Sequence, residues 1–239
     1  MAKTTVEQFA ESVRGALGAH LVSLVLFGSA ARRGDGGPAD TIVILDRVDG
    51  AALASLAAAS RDWLKDGHPA PLVFGEGEWK DSADVFAIEL GDMRAHHRVL
   101  AGRDPWAGVA PRDEDVRRQL EQELRGKVIR LRQAYVGAAR EPAELGRAVL
   151  GSVSGFLTML RAVLRLARRD APADRAALIA EAAPLVGFEA GPVTTLAVAA
   201  RERRAVKLAP DDPAAAAYLA AVTRTAQYVN DLPTRSDGR

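Results

Sequence analysis

The sequence contains no cysteine, which excludes a disulfide framework and any thiolate metal or redox site. Histidine is nearly as scarce, with His20, His68, His96 and His97 all in the first half of the chain. None shows zinc-ligand spacing such as His-x3-His, and adjacent side chains such as His96 and His97 normally point apart, so no metal site is expected on them. Aromatic residues make up only 5% of the chain, six Phe, three Tyr and three Trp, too few to build platforms on which nucleic-acid bases stack. Lysine is rare beside arginine, five against 27, a bias that a GC-rich genome explains as well as function does. No uninterrupted apolar run approaches the roughly 18 residues of a membrane-spanning helix. The N-terminus leads straight into an amphipathic helix, without the apolar stretch of a signal peptide. A cytoplasmic location of bacterial type is expected, with no membrane partner. Several catalytic signatures are missing as well: there is no Walker-type loop, no dinucleotide fingerprint and no Gly-x-Ser-x-Gly nucleophile elbow. The run Gly151-Ser152-Val153-Ser154-Gly155 lies inside a predicted helix, where small residues suit close helix packing.

What is present is ordinary for a globular protein: 239 residues, 48% apolar and 26% charged, enough for one large domain or two small ones with real cores. The net charge of +1 conceals two unlike halves. Residues 1–109 hold 11 Lys/Arg against 15 Asp/Glu, a net −4, and residues 110–239 hold 21 against 16, a net +5. Two modules with different surfaces are expected, but the contrast is too mild to require nucleic acid.

The first half reads as mixed α/β. Thr5 and Gln8 form a capping box ahead of Val6, Phe9, Val13 and Leu17 at helical spacing, with Gly18 as a stop. Leu21–Phe27 is a nearly continuous apolar run, as a strand buried on both faces reads. Residues 28–39 are rich in glycine and read as a loop, and 41–45 as a second buried strand. A helix is predicted over 51–65, strands at 72–74 and 85–90, and a last short element around 98–102. After Pro111 the strand signals stop. Helices are predicted over about 113–139, 142–168, 173–183, 191–205 and 213–229, the first capped by Asp113 and the last led in by Asp211 and Asp212. Five helices on short loops read as an antiparallel bundle. The expected fold class is therefore α+β, with a mixed α/β domain at 1–107, an all-α helical bundle at 108–232 and a loose tail at 233–239.

The segment that carries chemistry is Leu26-Phe27-Gly28-Ser29-Ala30-Ala31-Arg32-Arg33-Gly34, followed by Ala39-Asp40-Thr41-Ile42-Val43. A strand ending in Gly-Ser lets the backbone approach a triphosphate, with Gly28 leaving room and Ser29 donating to a phosphate oxygen. Arg32 and Arg33 offer charge-assisted bonds to the same group. The segment resembles the polymerase-beta-type nucleotidyltransferase superfamily, in particular small bacterial members related to aminoglycoside nucleotidyltransferases. Their signature is a strand, Gly-Ser, a loop of about this length and an Asp-x-Asp strand. The stretch Phe86–Leu90 with His97–Pro105 is similar to the end of that domain, and a helical bundle behind it is usual there. The resemblance covers about residues 5–107.

The resemblance implies two divalent metals held by Asp-x-Asp and a third acid on a neighbouring strand, with the ions clamping the α-phosphate and activating a hydroxyl. Asp40 fills the first position, but the second is Ile42, and a hydrocarbon cannot ligate Mg2+. Asp46 has the right parity yet lies about 20 Å further along the strand. Glu89 fits the third position if its segment is a strand beside Asp40. Asp40 and Glu89 would then hold one Mg2+ ion rather than two, with Gly28, Ser29, Arg32 and Arg33 on the phosphates of a nucleoside triphosphate.

Three functions stay open on these residues. The first is a nucleotide-binding protein whose transfer activity is weakened or lost, a pseudoenzyme. The second is an active Mg-dependent nucleotidyltransferase acting on a small-molecule hydroxyl of unknown identity, with Asp84 or Asp35 supplying the missing carboxylate. The third is a non-enzymatic interaction module in which the bundle mediates homo-oligomerisation. Some members of the superfamily pair with helical ribonucleases carrying an Arg-x4-6-His motif. The second half here has no histidine, so it is not expected to be such a nuclease. The arginines at 161, 165, 168 and 169 sit at a helix C-terminus, where the macrodipole alone favours them, and nucleic acid is not expected as a partner.

Overall fold

The computed structural model describes residues 3–33, 38–141 and 143–232, with the side chains of Ser29, Arg32 and Arg33 outside that description. Asp35, Pro142 and the tail 233–239, all of which figure in the sequence expectations, lie outside the described residues. The chain divides into two compact units, Met1–Pro111 and Arg112–Arg239. The fold class is α+β, with all the described strands in the first unit.

The first unit opens with α1 (Val6–Leu17), held at its start by the reciprocal Thr5–Gln8 capping box. Its Phe9, Val13 and Leu17 are buried, as the spacing predicts. Then follow β1 (Leu21–Phe27), α2 (Gly28–Arg33), β2 (Asp40–Leu45), α3 (Gly50–Ala59), α4 (Arg61–Lys65), β3 (Leu72–Gly75), α5 (Glu76–Asp81), α6 (Ala87–Ala95) and β4 (His97–Gly102). The sheet order is β3-β2-β1-β4, with β1 antiparallel to both β2 and β4, and β2 parallel to β3.

Strand alternation sends the β2 side chains to two separate cores. Val43 and Leu45 join Phe9, Val13, Leu17, Leu24, Leu26, Leu56 and Trp63 on one face of the sheet. Ile42 and Ile44 join Val25, Trp79, Leu90, Trp106 and Val109 on the other. Burial on both faces explains why β1 and β2 are nearly continuous apolar runs.

Three expectations need correction. The 28–39 segment is not all loop, because α2 starts directly at Gly28. The 51–65 helix is two helices, meeting at Ser60, whose hydroxyl donates to the Leu56 carbonyl at 2.8 Å. The third bears on function: 85–90 is not a strand. Val85 lies in a turn and residues 87–95 are α6. A six-residue apolar run cannot by itself tell a buried strand from a buried helix. Here the helix wins, burying Ala87, Ile88 and Leu90 while Glu89 is exposed. Helix α5 is too short to show an apolar period in the sequence.

The second unit is five helices: α7 (Asp113–Gly137), α8 (Ala143–Leu166), α9 (Arg175–Val186), α10 (Ala190–Arg201) and α11 (Pro213–Asp231). Asp113 is the first helical residue of α7 rather than its cap, and shares an acidic first turn with Glu114 and Asp115. Asp174 and Asp212 do cap, accepting from the Ala177 and Ala214 amides at 2.9 and 2.8 Å. Helix α8 is the hub, packing against α7, α9, α10 and α11. Val149, Val153, Phe156, Leu160, Val163 and Leu164 along it are fully buried. By length and composition α8 is apolar enough to cross a membrane, yet 56% of its apolar window is buried inside the protein. Of the two glycines in the 151–155 run, Gly151 faces open space. At Gly155 a methyl group would make ordinary contact with the Lys127 ammonium, 3.5 Å away. The close backbone approach on α8 is instead at Gly146, where a methyl group would collide with the Val206 carbonyl.

Candidate functional site

The candidate site is the turn from β1 through α2 and back into β2. The antiparallel register sets Phe27 opposite Asp40, Leu26 opposite Thr41 and Val25 opposite Ile42. Gly28 leaves the end of β1 with φ of +71°, a left-handed conformation that favours glycine. A methyl group at Gly28 would sit 3.5 Å from Oδ2 of Asp40, so the structure brings these two residues together as the sequence motif requires. The Asp40 carboxyl is half-buried, and burial pushes its pKa above the usual carboxylate value. Among the described residues no charge or hydrogen bond offsets that burial. Ser29, Arg32 and Arg33 lie on α2, and their side chains are outside the described residues.

Two residues along the same face, the site closes. Ile42 is 0% exposed. It lies in the core that holds Trp79 and Trp106, whose rings meet edge to face at 5.2 Å. Phe74 packs edge-on to Trp79 at 5.3 Å, and the Trp79 indole donates to the Pro105 carbonyl at 2.8 Å. The hydrocarbon at position 42 is thus part of a closed aromatic core, not a missing oxygen in an open cleft.

Neither strand flanking β2 carries an acid, since β1 reads Leu-Val-Ser-Leu-Val-Leu-Phe and β3 reads Leu-Val-Phe-Gly. The β3 residue in register with Ile42 is Leu72. Glu89 stands exposed on α6, a helix rather than the expected strand beside Asp40. Asp84 is exposed in the turn before α6. Glu76, the first acid after β3, is engaged by Lys80 at 2.8 Å and Arg103 at 2.5 Å, which hold its pKa low. Among the described residues no group of three His, Asp or Glu side chains is placed to hold a metal ion. The described residues therefore do not fit a resident two-metal centre.

One residue at the site escaped the sequence argument. The Ala39 amide, directly before Asp40, donates to Nδ1 of His68 at 3.1 Å. The two are 29 positions apart, and neither carries a motif that would announce the contact. Of the other histidines, His20 pairs with Asp46 at 3.1 Å, and His97 bonds the Arg94 carbonyl at 2.9 Å with its ring against Trp106. In the second unit, Arg168 and Arg169 form ion pairs with Asp113 and Glu181, and Arg161 is buried.

No protein-family model matches the sequence, and no curated protein matches it either. The fold does have a solved counterpart. The chain is similar to the spectinomycin adenyltransferase AAD(9) from Enterococcus faecialis, whose crystal structure holds ATP and spectinomycin. The TM-score is 0.55 at 13% identity, with 92% of this chain and 97% of that one covered. The likeness is one of fold, and it runs through both units.

Proposed function

We propose that the chain is a nucleotide-binding protein of nucleotidyltransferase fold whose transfer chemistry is weakened or lost. One observation carries this reading: β2 keeps Asp40 beside Gly28 but commits Ile42, the next residue on that face, to a closed aromatic core. A nucleoside triphosphate would lay its phosphates along the Gly28 turn, with Ser29, Arg32 and Arg33 as donors. Asp40 repels such a ligand unless a cation lies between them, so Mg2+ would enter with the triphosphate, one ion rather than two. The chain's own groups would bind and orient the nucleotide; among the described residues no second carboxylate lies on β2 or its neighbouring strands to activate an attacking hydroxyl.

The fold likeness favours a second reading. It extends over nearly the whole of an enzyme crystallised with ATP and spectinomycin, which supports a small-molecule hydroxyl as the acceptor of an active transferase. Calorimetric titration with ATP and GTP, with and without Mg2+, tests both. Magnesium-dependent binding without turnover on added acceptors supports the first, and metal-dependent nucleotidyl transfer supports the second. No binding under either condition overturns both, and leaves a helical interaction module whose sign would be a stable homo-oligomer.

A further inference from the structure

We infer that His68 is a positioning residue for the candidate site, holding the entry of β2 through the Ala39 amide; this rests on the nucleotide-binding reading of Gly28 and Asp40. Ala39 is 1% exposed, so its N–H has little access to water and needs an acceptor inside the protein. That acceptor is Nδ1 of His68 at 3.1 Å. An imidazole nitrogen can accept only when unprotonated, so this contact assigns the neutral tautomer with its proton on Nε2. Nε2 is itself buried, with no hydrogen-bond partner among the described residues.

The ring is not free to turn away. It stacks on Trp63 at 3.7 Å with the planes 11° apart, and Trp63 stacks in turn on Phe9 of α1 at 4.3 Å. Trp63 is 0% exposed and its indole donates to the Pro69 carbonyl at 3.0 Å. The backbone that presents His68 is fixed as well. Gly67 turns it with φ of +86°, and the His68 amide donates to the Trp63 carbonyl at 3.3 Å. Asp66 accepts from both the amide and the hydroxyl of Thr4 at 2.6 Å. A three-ring stack in one core thus ends in a single nitrogen aimed at the residue before Asp40. Burial disfavours the protonated ring; among the described residues Asp66 favours that form and Lys3 opposes it.

The test uses two variants of the full chain with complementary losses. His68→Phe keeps a ring on Trp63 and removes the acceptor. His68→Asn gives up the stack and keeps a side-chain oxygen able to accept at the Nδ1 position. In the wild type, long-range 15N–1H spectra of the imidazole should show Nδ1 unprotonated and Nε2 protonated. In His68→Phe the Ala39 amide should exchange with solvent roughly tenfold faster, the equivalent of one lost hydrogen bond, and nucleotide affinity should fall by a similar factor. His68→Asn should recover most of both. A protonated Nδ1 in the wild type, or wild-type exchange at Ala39 in His68→Phe, overturns the proposal. If the wild type binds no nucleotide while Ala39 responds as expected, the positioning stands and the nucleotide-binding reading fails.

Discussion

Replacing Ile42 by aspartate would restore the carboxylate pattern of an active transferase on paper, and the structure says what it would cost. The side chain is 0% exposed and lies in one core with Val25, Ile44, Trp79, Leu90, Trp106 and Val109. Giving up the burial of an isoleucine costs about 2–3 kcal/mol. Placing a carboxylate in the same apolar space adds several kcal/mol more, or forces it to take up a proton and lose its value as a ligand. The sum, about 5 kcal/mol or more, approaches the whole stability of a typical domain, about 5–15 kcal/mol. Ile42→Asp is therefore expected to lower the melting temperature of the first unit by roughly 20 °C or more, or to fail to fold, without gaining metal-dependent transfer. Ile42→Val, at about 1 kcal/mol, is the packing control. Thermal unfolding by circular dichroism reads the stability, and release of pyrophosphate from ATP and Mg2+ reads the transfer. A variant that melts within a few degrees of the wild type and turns over would refute the closed-core argument and show an open metal face.

Asp40→Asn separates function from stability. Burial raises the Asp40 pKa above 3.8, so its ionised form costs stability that is absent below the unfolded value and appears as pH rises through the folded one. Discounted for partial exposure, removing that charge should leave the protein up to about 1 kcal/mol more stable at neutral pH by thermal unfolding. The same change should weaken Mg-nucleotide binding about tenfold while strengthening metal-free binding, because the repelling charge is gone. Loss of stability, or equal effects with and without Mg2+, would count against Asp40 facing the phosphates. Lys127 is buried in the bundle, bonded to the Ser152 carbonyl at 3.2 Å, and burial pulls its pKa below 10.5. Its folded form binds protons less readily than the unfolded chain, so wild-type stability should rise with pH between the lowered value and 10.5. Lys127→Met should be more stable by about 1 kcal/mol at neutral pH, an advantage that shrinks through that window in denaturant titrations. Gly146→Ala forces its methyl group into the Val206 carbonyl. It should destabilise the bundle by about 1–3 kcal/mol, measured by chemical unfolding of the full chain.

Much of the architecture follows from local pattern. The Thr5–Gln8 box, the two apolar runs that became β1 and β2, and the spacing of Leu120, Leu124, Val128 and Leu131 on α7 each satisfy a rule that operates within a few residues. The shortfall of the site was legible in the same way: Asp40 followed two residues later by Ile42 cannot present two ligands on one face of a strand. Nothing local, however, separates a buried strand from a buried helix at Phe86–Leu90. That choice fell to the packing of Ala87, Ile88 and Leu90, and it moved Glu89 from a sheet to a helix.

The rest was decided by residues far apart in the chain. Sequence establishes that position 42 lacks a ligand; the tertiary structure establishes that the place is filled, by Trp79 and Trp106, which local spacing does not connect to it. Sequence likewise shows a histidine at 68 with no motif around it. Only the fold brings that ring against Trp63 and its nitrogen to Ala39. The physical reason is common to both: backbone periodicity is written every two or four residues, whereas the closing of a cavity and the pairing of a buried amide depend on which distant surfaces meet.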